Sequence, residues 1–290
     1  MTHLLALLGV VSISFSAIFV RLAGVSPVTA AFFRAAYALL PLAVVLAMSR
    51  GSSRSLRERT LAFCSGLLLA LDLAFWHLSI AQIGAGLATV LANVQVVFVA
   101  GVAWALWGER PTFKTVVIVA GVFGGVVLTS GLNRPDAYGA SPIAGVVAGV
   151  VAGASYAAFL LMFRASNRAL APTAGPLFDA TLGTAVGALA MGMFDPGFSF
   201  VPEFPAHAWL IAMALVAQVI GWLFIAGALP LLPAVETSVL LLAQPVFTLA
   251  WGATLFNEQL SIVQWVGVAM ILGGVSTAAR RKSELLTSEF

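Results

Sequence analysis

Long apolar stretches alternate with short polar breaks along the whole chain. The breaks are rich in proline, glycine, asparagine and charged residues, which end helices. Most stretches are long enough to cross about 30 Å of hydrocarbon as an α-helix. The pattern predicts an all-α integral membrane protein with ten transmembrane helices, at 4–22, 28–48, 60–82, 84–107, 113–131, 141–163, 172–194, 207–230, 233–256 and 261–279.

An internal repeat divides these ten spans into two sets of five. Residues 90–126 recur 149 positions later as residues 239–275. We therefore expect a first five-helix repeat over 1–138, a second over 139–282, and a cytoplasmic tail over 283–290. The matching markers are Val90-Leu91, Gln95, Val97-Phe98, Glu109 and Gly124-Gly125-Val126, which return as Val239-Leu240, Gln244, Val246-Phe247, Glu258 and Gly273-Gly274-Val275.

The number of spans in each repeat predicts how the repeats are related. Since five is odd, the second repeat must start on the opposite side of the membrane from the first. The two repeats are then inverted, about a two-fold axis in the membrane plane. This is the architecture of carriers that work by alternating access, with the substrate site between the repeats.

Composition and charge support a membrane protein and predict its orientation. Apolar residues make up 61% of the chain and charged residues 9%, whereas soluble proteins carry about 25% charged residues. The net charge of +3 comes from residues in loops, so it indicates topology rather than nucleic-acid binding. With both termini in the cytoplasm, eleven basic residues are cytoplasmic and two, Arg21 and Arg134, are outside. The eleven are Arg50, Arg54, Arg57, Arg59, Arg110, Lys114, Arg164, Arg168, Arg280, Arg281 and Lys282.

Charged residues inside spans are costly and need an explanation. Arg34 and Asp179 occupy matching places, each seven residues after a proline, Pro27 and Pro172. Inversion places them near opposite ends of the membrane, so we expect no direct contact between them. Each is either a structural charge that anchors a neighbouring helix or a gate contact that forms in one state of the carrier.

Asp72, Trp76 and His77 have no equivalents in the second repeat. Residues present in one repeat alone are better suited to an asymmetric ligand than residues that both repeats share. Asp72 could form a buried pair with Arg34, or bind a substrate ammonium or a coupling proton. His77 could carry a proton or be a hydrogen-bonded packing residue.

Further polar and aromatic side chains lie at mid-span and could line a central cavity. Asn93 and Gln218 lack repeat partners, and Trp222 lies deep enough to form an aromatic wall. Serines in membrane helices often bond to their own backbone instead. The remaining substrate-binding candidates are Ser16, Ser155 and Tyr156.

Motifs for enzymatic or cofactor chemistry are missing from the sequence. There is no phosphate-binding loop, no His-Glu-x-x-His motif and a single cysteine, Cys64. We therefore expect no catalytic residues, no metal and no cofactor. A membrane-embedded enzyme or scaffold remains a third hypothesis, for which a paired nucleophile and base would be the sign.

The residues also resemble a known family. The run Ala228-Leu229-Pro230-Leu231-Leu232-Pro233-Ala234, the run Gln244-Pro245-Val246-Phe247 with Glu258, and Phe33-Arg34-Ala35 are similar to the EamA-type drug/metabolite transporters. Many relatives carry glutamate at the position of Gln244, so a role for that carboxylate is absent here.

This resemblance implies a carrier in the bacterial inner membrane, usually an exporter of metabolites. Trp76-His77 looks closest to the aromatic amino-acid exporters. We expect a secondary exporter of aromatic or large neutral amino acids that contacts the lipid bilayer and a small-molecule substrate, binds no nucleic acid, and has a proton as a candidate co-substrate. The alternative is export of another metabolite or drug, such as a nucleobase or a cationic compound.

Overall fold

The computed structural model describes residues 2–49, 54–108, 110–129, 142–167, 173–256 and 261–287, and all regular structure in these ranges is helical. A π-helix, Ala214–Gly221, joins α8 to α9, and a 3-10 turn, Leu229–Leu231, precedes α10. The α-helices are α1 (Thr2–Ala23), α2 (Pro27–Met48), α3 (Leu56–Ala92), α4 (Gln95–Trp107), α5 (Phe113–Thr129), α6 (Pro142–Ser166), α7 (Ala174–Gly192), α8 (Ala206–Met213), α9 (Trp222–Ala228), α10 (Ala234–Leu241), α11 (Gln244–Phe256) and α12 (Ile262–Thr287).

Local sequence explains where several helices begin and end. Ser26 caps α2 by accepting a hydrogen bond from the Thr29 amide, and Pro27 follows at the first helical position. Gly24 and Gly108, which follow α1 and α4, adopt positive φ angles of 63° and 66° that side chains disfavour. These signals fix the short connections that bring neighbouring helices together.

Apolar length supports a membrane location. In the described ranges, seven helical stretches are long and apolar enough to span a bilayer, and three apolar helices are shorter. Each of these ten stretches overlaps one predicted span. Ten crossings of the membrane remain a prediction, and the predicted repeat boundary at 138–139 lies outside the described residues. The last helix, α12, continues to Thr287, into the segment that the sequence predicts as a cytoplasmic tail.

Although helical from end to end, α3 is not straight. A Cβ placed on Gly149 of α6 would lie 2.9 Å from Ser79 Oγ and 2.7 Å from Leu91 Cβ, so Ser79 and Leu91 are side by side. Twelve residues of straight helix would separate them by about 18 Å. The chain therefore turns back between Ser79 and Leu91, the region in which the sequence predicts a short connection at 82–84.

The spans predicted at 84–107 and 233–256 are each interrupted, which corrects the expectation of continuous helices. The first breaks at Asn93–Val94 and the second at Leu242–Ala243, 149 positions apart. Around both breaks several amides bond to carbonyls three residues back, beside others that keep the four-residue spacing, which tightens the helix locally. The break therefore belongs to the repeated unit, and the duplication extends to backbone detail.

The helix contacts follow a two-fold pattern. Equivalent helices of the two repeats pack on each other: α2 on α7, and α5 on α12. The fourth and ninth predicted spans also meet, through α4 and α10. Other contacts occur in exchanged pairs. The contact of α3 with α6 corresponds to that of α8, the π-helix and α9 with α1, and the contact of α4 with α6 corresponds to that of α11 with α1. This is the packing that two repeats related by a two-fold axis produce.

Helix α1 packs very closely against the π-helix, which lies in the eighth predicted span. A Cβ on Gly9 of α1 would lie 2.7 Å from the carbonyl oxygen of Gly221, so the two backbones almost touch. The wider π turn changes which side chains face inward, and such turns often occur at functional sites. Gln218 lies within it.

Candidate functional site

A chain of hydrogen bonds crosses the interface between the repeats near mid-span. Arg34 Nε on α2 donates to Gln218 Oε1 at 2.8 Å, and Gln218 Nε2 donates to Thr181 Oγ1 on α7 at 3.1 Å. Gln218 and Thr181 are 2% and 0% exposed, so these bonds form away from solvent. The chain ties α2 of the first repeat to the π-helix and α7 of the second.

Asp72 on α3 lies close to this chain. Arg34, Asp72 and Tyr156 interact electrostatically with one another. Asp72 is buried, at 9% exposure. Arg34 and Asp72 form no ion pair, so the direct buried pair that the sequence suggested is not made in this conformation. The structure thus brings together four predicted residues, Arg34, Asp72, Tyr156 and Gln218.

Aromatic side chains continue from Tyr156 along α6. Tyr156 packs on Phe159 with ring centroids 5.8 Å apart, and Phe159 meets Trp222 of α9 edge to face at 5.0 Å. Phe163 covers the other part of Trp222 at 6.0 Å. Trp222 is 2% exposed and its indole nitrogen has no partner among the described residues. In this conformation Trp222 is therefore a packing residue behind the site. Tyr156 is the half-buried ring beside Arg34 and Asp72.

The other predicted binding residues are more dispersed. Trp76 and His77 are half-buried and contact each other at 5.0 Å, one turn beyond Asp72 on α3. Ser16 has a buried hydroxyl without a partner in the described part of the chain. Asn93 lies in the break between α3 and α4, and Ser155 is half-buried on α6. Within the described part of the chain, none of these five side chains forms a hydrogen bond or ion pair with Arg34 or Asp72.

Asp179 lies in a separate ionic cluster near the start of α7. Its Oδ2 is 2.7 Å from Arg54 Nη1 and 3.6 Å from Arg59 Nε. The Asp179 side chain is 8% exposed and that of Arg54 is 21% exposed. A Cβ on Gly175 would lie 2.9 Å from Arg54 Nη1, so this glycine leaves room for the guanidinium. As expected, Arg34 and Asp179 have different partners.

A second contact between ionisable side chains at the same end joins the starts of α1 and α10. His3 Nε2 is 3.5 Å from Glu236 Oε2, and both side chains are partly buried. The structure thus gives Glu236 a specific neighbour. Because α10 begins only after Pro233, the backbone places Glu236 in its first turn.

The opposite end carries contacts that the sequence did not reveal. Tyr37 and the buried His207 are joined by a hydrogen bond of 2.6 Å between Oη and Nδ1. Ser26 donates to Asp195 at 3.1 Å, which fixes the segment after α7 to the start of α2. His207 follows a segment rich in proline and phenylalanine, 195–206, and has no repeat marker, so no sequence signal linked it to a residue 170 positions away.

Comparison with known proteins identifies a family that the sequence matches. The model of the EamA-like transporter family matches twice, over residues 1–131 and 143–279. No curated protein matches the sequence significantly. A solved crystal structure superposes with a TM-score of 0.78 at 19% sequence identity, covering 96% of this chain and 98% of its own. At that identity the likeness shows the fold alone.

Proposed function

Because the chain belongs to the EamA-like transporter family, we propose that it exports amino acids, aromatic or large neutral ones, as a secondary transporter that works by alternating access. The observation that carries the proposal is the buried polar cluster of Arg34, Asp72, Tyr156 and Gln218. It draws residues from both repeats, and substrate sites of repeat-built carriers lie at such an interface. The expected location is the bacterial inner membrane, with both termini in the cytoplasm.

Tyr156 supports an aromatic or large apolar side chain as part of the substrate. Its ring is half-buried, and it continues into the packed rings of Phe159 and Trp222. Such a surface holds an apolar side chain by burial and ring contact. Trp76 and His77 form a second aromatic surface next to Asp72, as expected if they face the same substrate.

Asp179 is suited to a gate. In this conformation it connects α7 to Arg54, which precedes α3, and so holds helices of different repeats together at the end that we expect to be cytoplasmic. A contact of this kind must open when the cavity opens to that side. The partner Arg59 is 62% exposed and adds little.

The test is flux through purified protein in liposomes. Uptake and efflux of labelled tryptophan, phenylalanine and leucine are measured with and without a pH gradient. The comparison of the two conditions also tests whether transport is coupled to protons. Saturable transport of at least one is expected. Trp76→Ala should weaken the apparent affinity for aromatic substrates, and an unchanged affinity for every one would remove Trp76 from the site.

One observation favours the alternative substrate class. The carboxylate of Asp72 is buried without an ion-pair partner in the described part of the chain, which would also suit a cationic compound. The same liposome assay distinguishes the two substrate classes when the tested compounds include a nucleobase and a hydrophobic cation. Transport of the cation without transport of any amino acid would replace the leading proposal.

A further inference from the structure

Arg34 uses only part of its hydrogen-bonding capacity. Its Nε is held by Gln218, which is itself held by Thr181, so the orientation of the guanidinium plane is fixed. Its two terminal Nη groups make no hydrogen bond or ion pair with any described residue. A guanidinium presented in this way offers two parallel donors, the geometry that a carboxylate accepts.

Asp72 is in the complementary situation. Asp72 is 9% exposed, and its carboxylate forms no hydrogen bond or ion pair with the residues that the structure describes. It interacts electrostatically with Arg34 but does not reach it. Two opposite charges at this depth are stabilised most simply by direct contact, and an unpaired buried charge is costly. A ligand that carries both opposite charges would give each of them a partner.

We propose that Arg34 and Asp72 form a receptor for a zwitterion, in which the α-carboxylate of the substrate binds the Nη groups of Arg34 and its α-ammonium binds Asp72. Tyr156, which interacts with both charges, then lies beside the substrate side chain. This rests on the proposed function, and it assigns Arg34 to the ligand instead of to a gate. Gln218 is the positioning residue that aims Arg34.

The receptor predicts which compounds are rejected. An amine without a carboxylate leaves Arg34 unpaired, and an acid without an ammonium leaves Asp72 unpaired. Leaving a buried charged group unsatisfied weakens binding by about 10- to 100-fold. A free amino acid should therefore bind better than either of its singly charged analogues, whatever the apolar side chain.

Competition in liposomes tests this on the unmodified protein. Counterflow of the labelled amino acid that the protein carries is inhibited with the amino acid itself, with its amine analogue and with its acid analogue: tryptamine and indole-3-propionate for tryptophan, or the corresponding pairs for phenylalanine and leucine. We expect both analogues to inhibit about 10- to 100-fold more weakly than the amino acid. Equal inhibition by all three would overturn the receptor and leave amino-acid transport standing. Transport of no amino acid would overturn both.

Two variants then assign the charges separately. Asp72→Asn should lose selectivity against the acid analogue, and Arg34→Gln should lose selectivity against the amine analogue. Each selectivity is a ratio measured within one variant, so a lower amount of folded protein does not change it. The matched controls are Glu203→Gln and Arg57→Gln, which remove the same charges at exposed positions and should keep the original ratios. Unaltered ratios in Asp72→Asn and Arg34→Gln would contradict the assignment.

Discussion

Arg34 of the first repeat donates a hydrogen bond from Nε to Oε1 of Gln218 in the second, over a distance of 2.8 Å. Gln218 lies in the π-helix between α8 and α9, and its own amide nitrogen is satisfied by Thr181. A charged side chain is thereby held by two neutral ones that come from different helices. The orientation of Arg34 therefore depends on how the two repeats are packed.

Removing Gln218 should impair transport. Gln218→Leu keeps the approximate volume of the side chain but leaves Arg34 Nε without a hydrogen-bond partner, which costs about 1–3 kcal/mol. We therefore expect the transport rate to fall about 10-fold or more. Thr181→Val should have a smaller effect, because it only loosens Gln218. The double variant Gln218→Leu/Thr181→Val should lower the transport rate by less than the product of the two single effects, because the two residues belong to one hydrogen-bonded chain. Transport rates in liposomes are measured for all three variants, with Thr254→Val at an exposed position as the control. Independent effects of the two substitutions would argue against a common hydrogen-bonded chain.

The sequence predicts the membrane spans and the repeat because both depend on composition and on marker residues such as Gln95 and Gln244. It does not predict the breaks at Asn93 and Leu242, since hydropathy is unaffected by whether an amide bonds three or four residues back. It also suggested a direct pair between Arg34 and Asp72. The structure instead gives Arg34 a neutral partner 184 positions away, a contact set by packing that periodicity cannot report.

Breaking the Asp179–Arg54 pair should favour opening at that end. Arg54→Gln and Asp179→Asn each remove the 2.7 Å contact, so a cysteine at Thr173, in a Cys64→Ser background, should react faster with an impermeant maleimide. Arg59→Gln is the control, because Arg59 is 62% exposed and its ion pair contributes less than about 1 kcal/mol. If labelling stays the same in all three variants while only thermal stability falls, Asp179 is a structural charge.

The crossing of α3 and α7 should tolerate no added volume. A Cβ on Gly66 would overlap the carbonyl oxygen of Ala180, and a Cβ on Gly183 would overlap that of Phe63. Gly66→Ala and Gly183→Ala should each destabilise the protein by about 1–3 kcal/mol through overpacking. Gly121→Ala on α5 has open space around it and should be neutral or slightly stabilising. Thermal unfolding in detergent measures these changes; equal effects at all three glycines would contradict the tight crossing.

The inverted arrangement can be tested by labelling the two ends of the molecule. Ser26 bonds to Asp195, so both lie at one end, whereas α2 runs about 33 Å from Ser26 to Ser49 at the other. In a Cys64→Ser background, a cysteine at exposed Gly197 should react with an impermeant maleimide added outside intact cells. A cysteine at Ser49 should react only after the membrane is opened. The distribution of basic residues predicts this orientation, with Ser49 in the cytoplasm. Reaction of both cysteines from the same side would mean that the repeats do not face opposite ways, and alternating access by exchange of equivalent halves would then lose its structural basis.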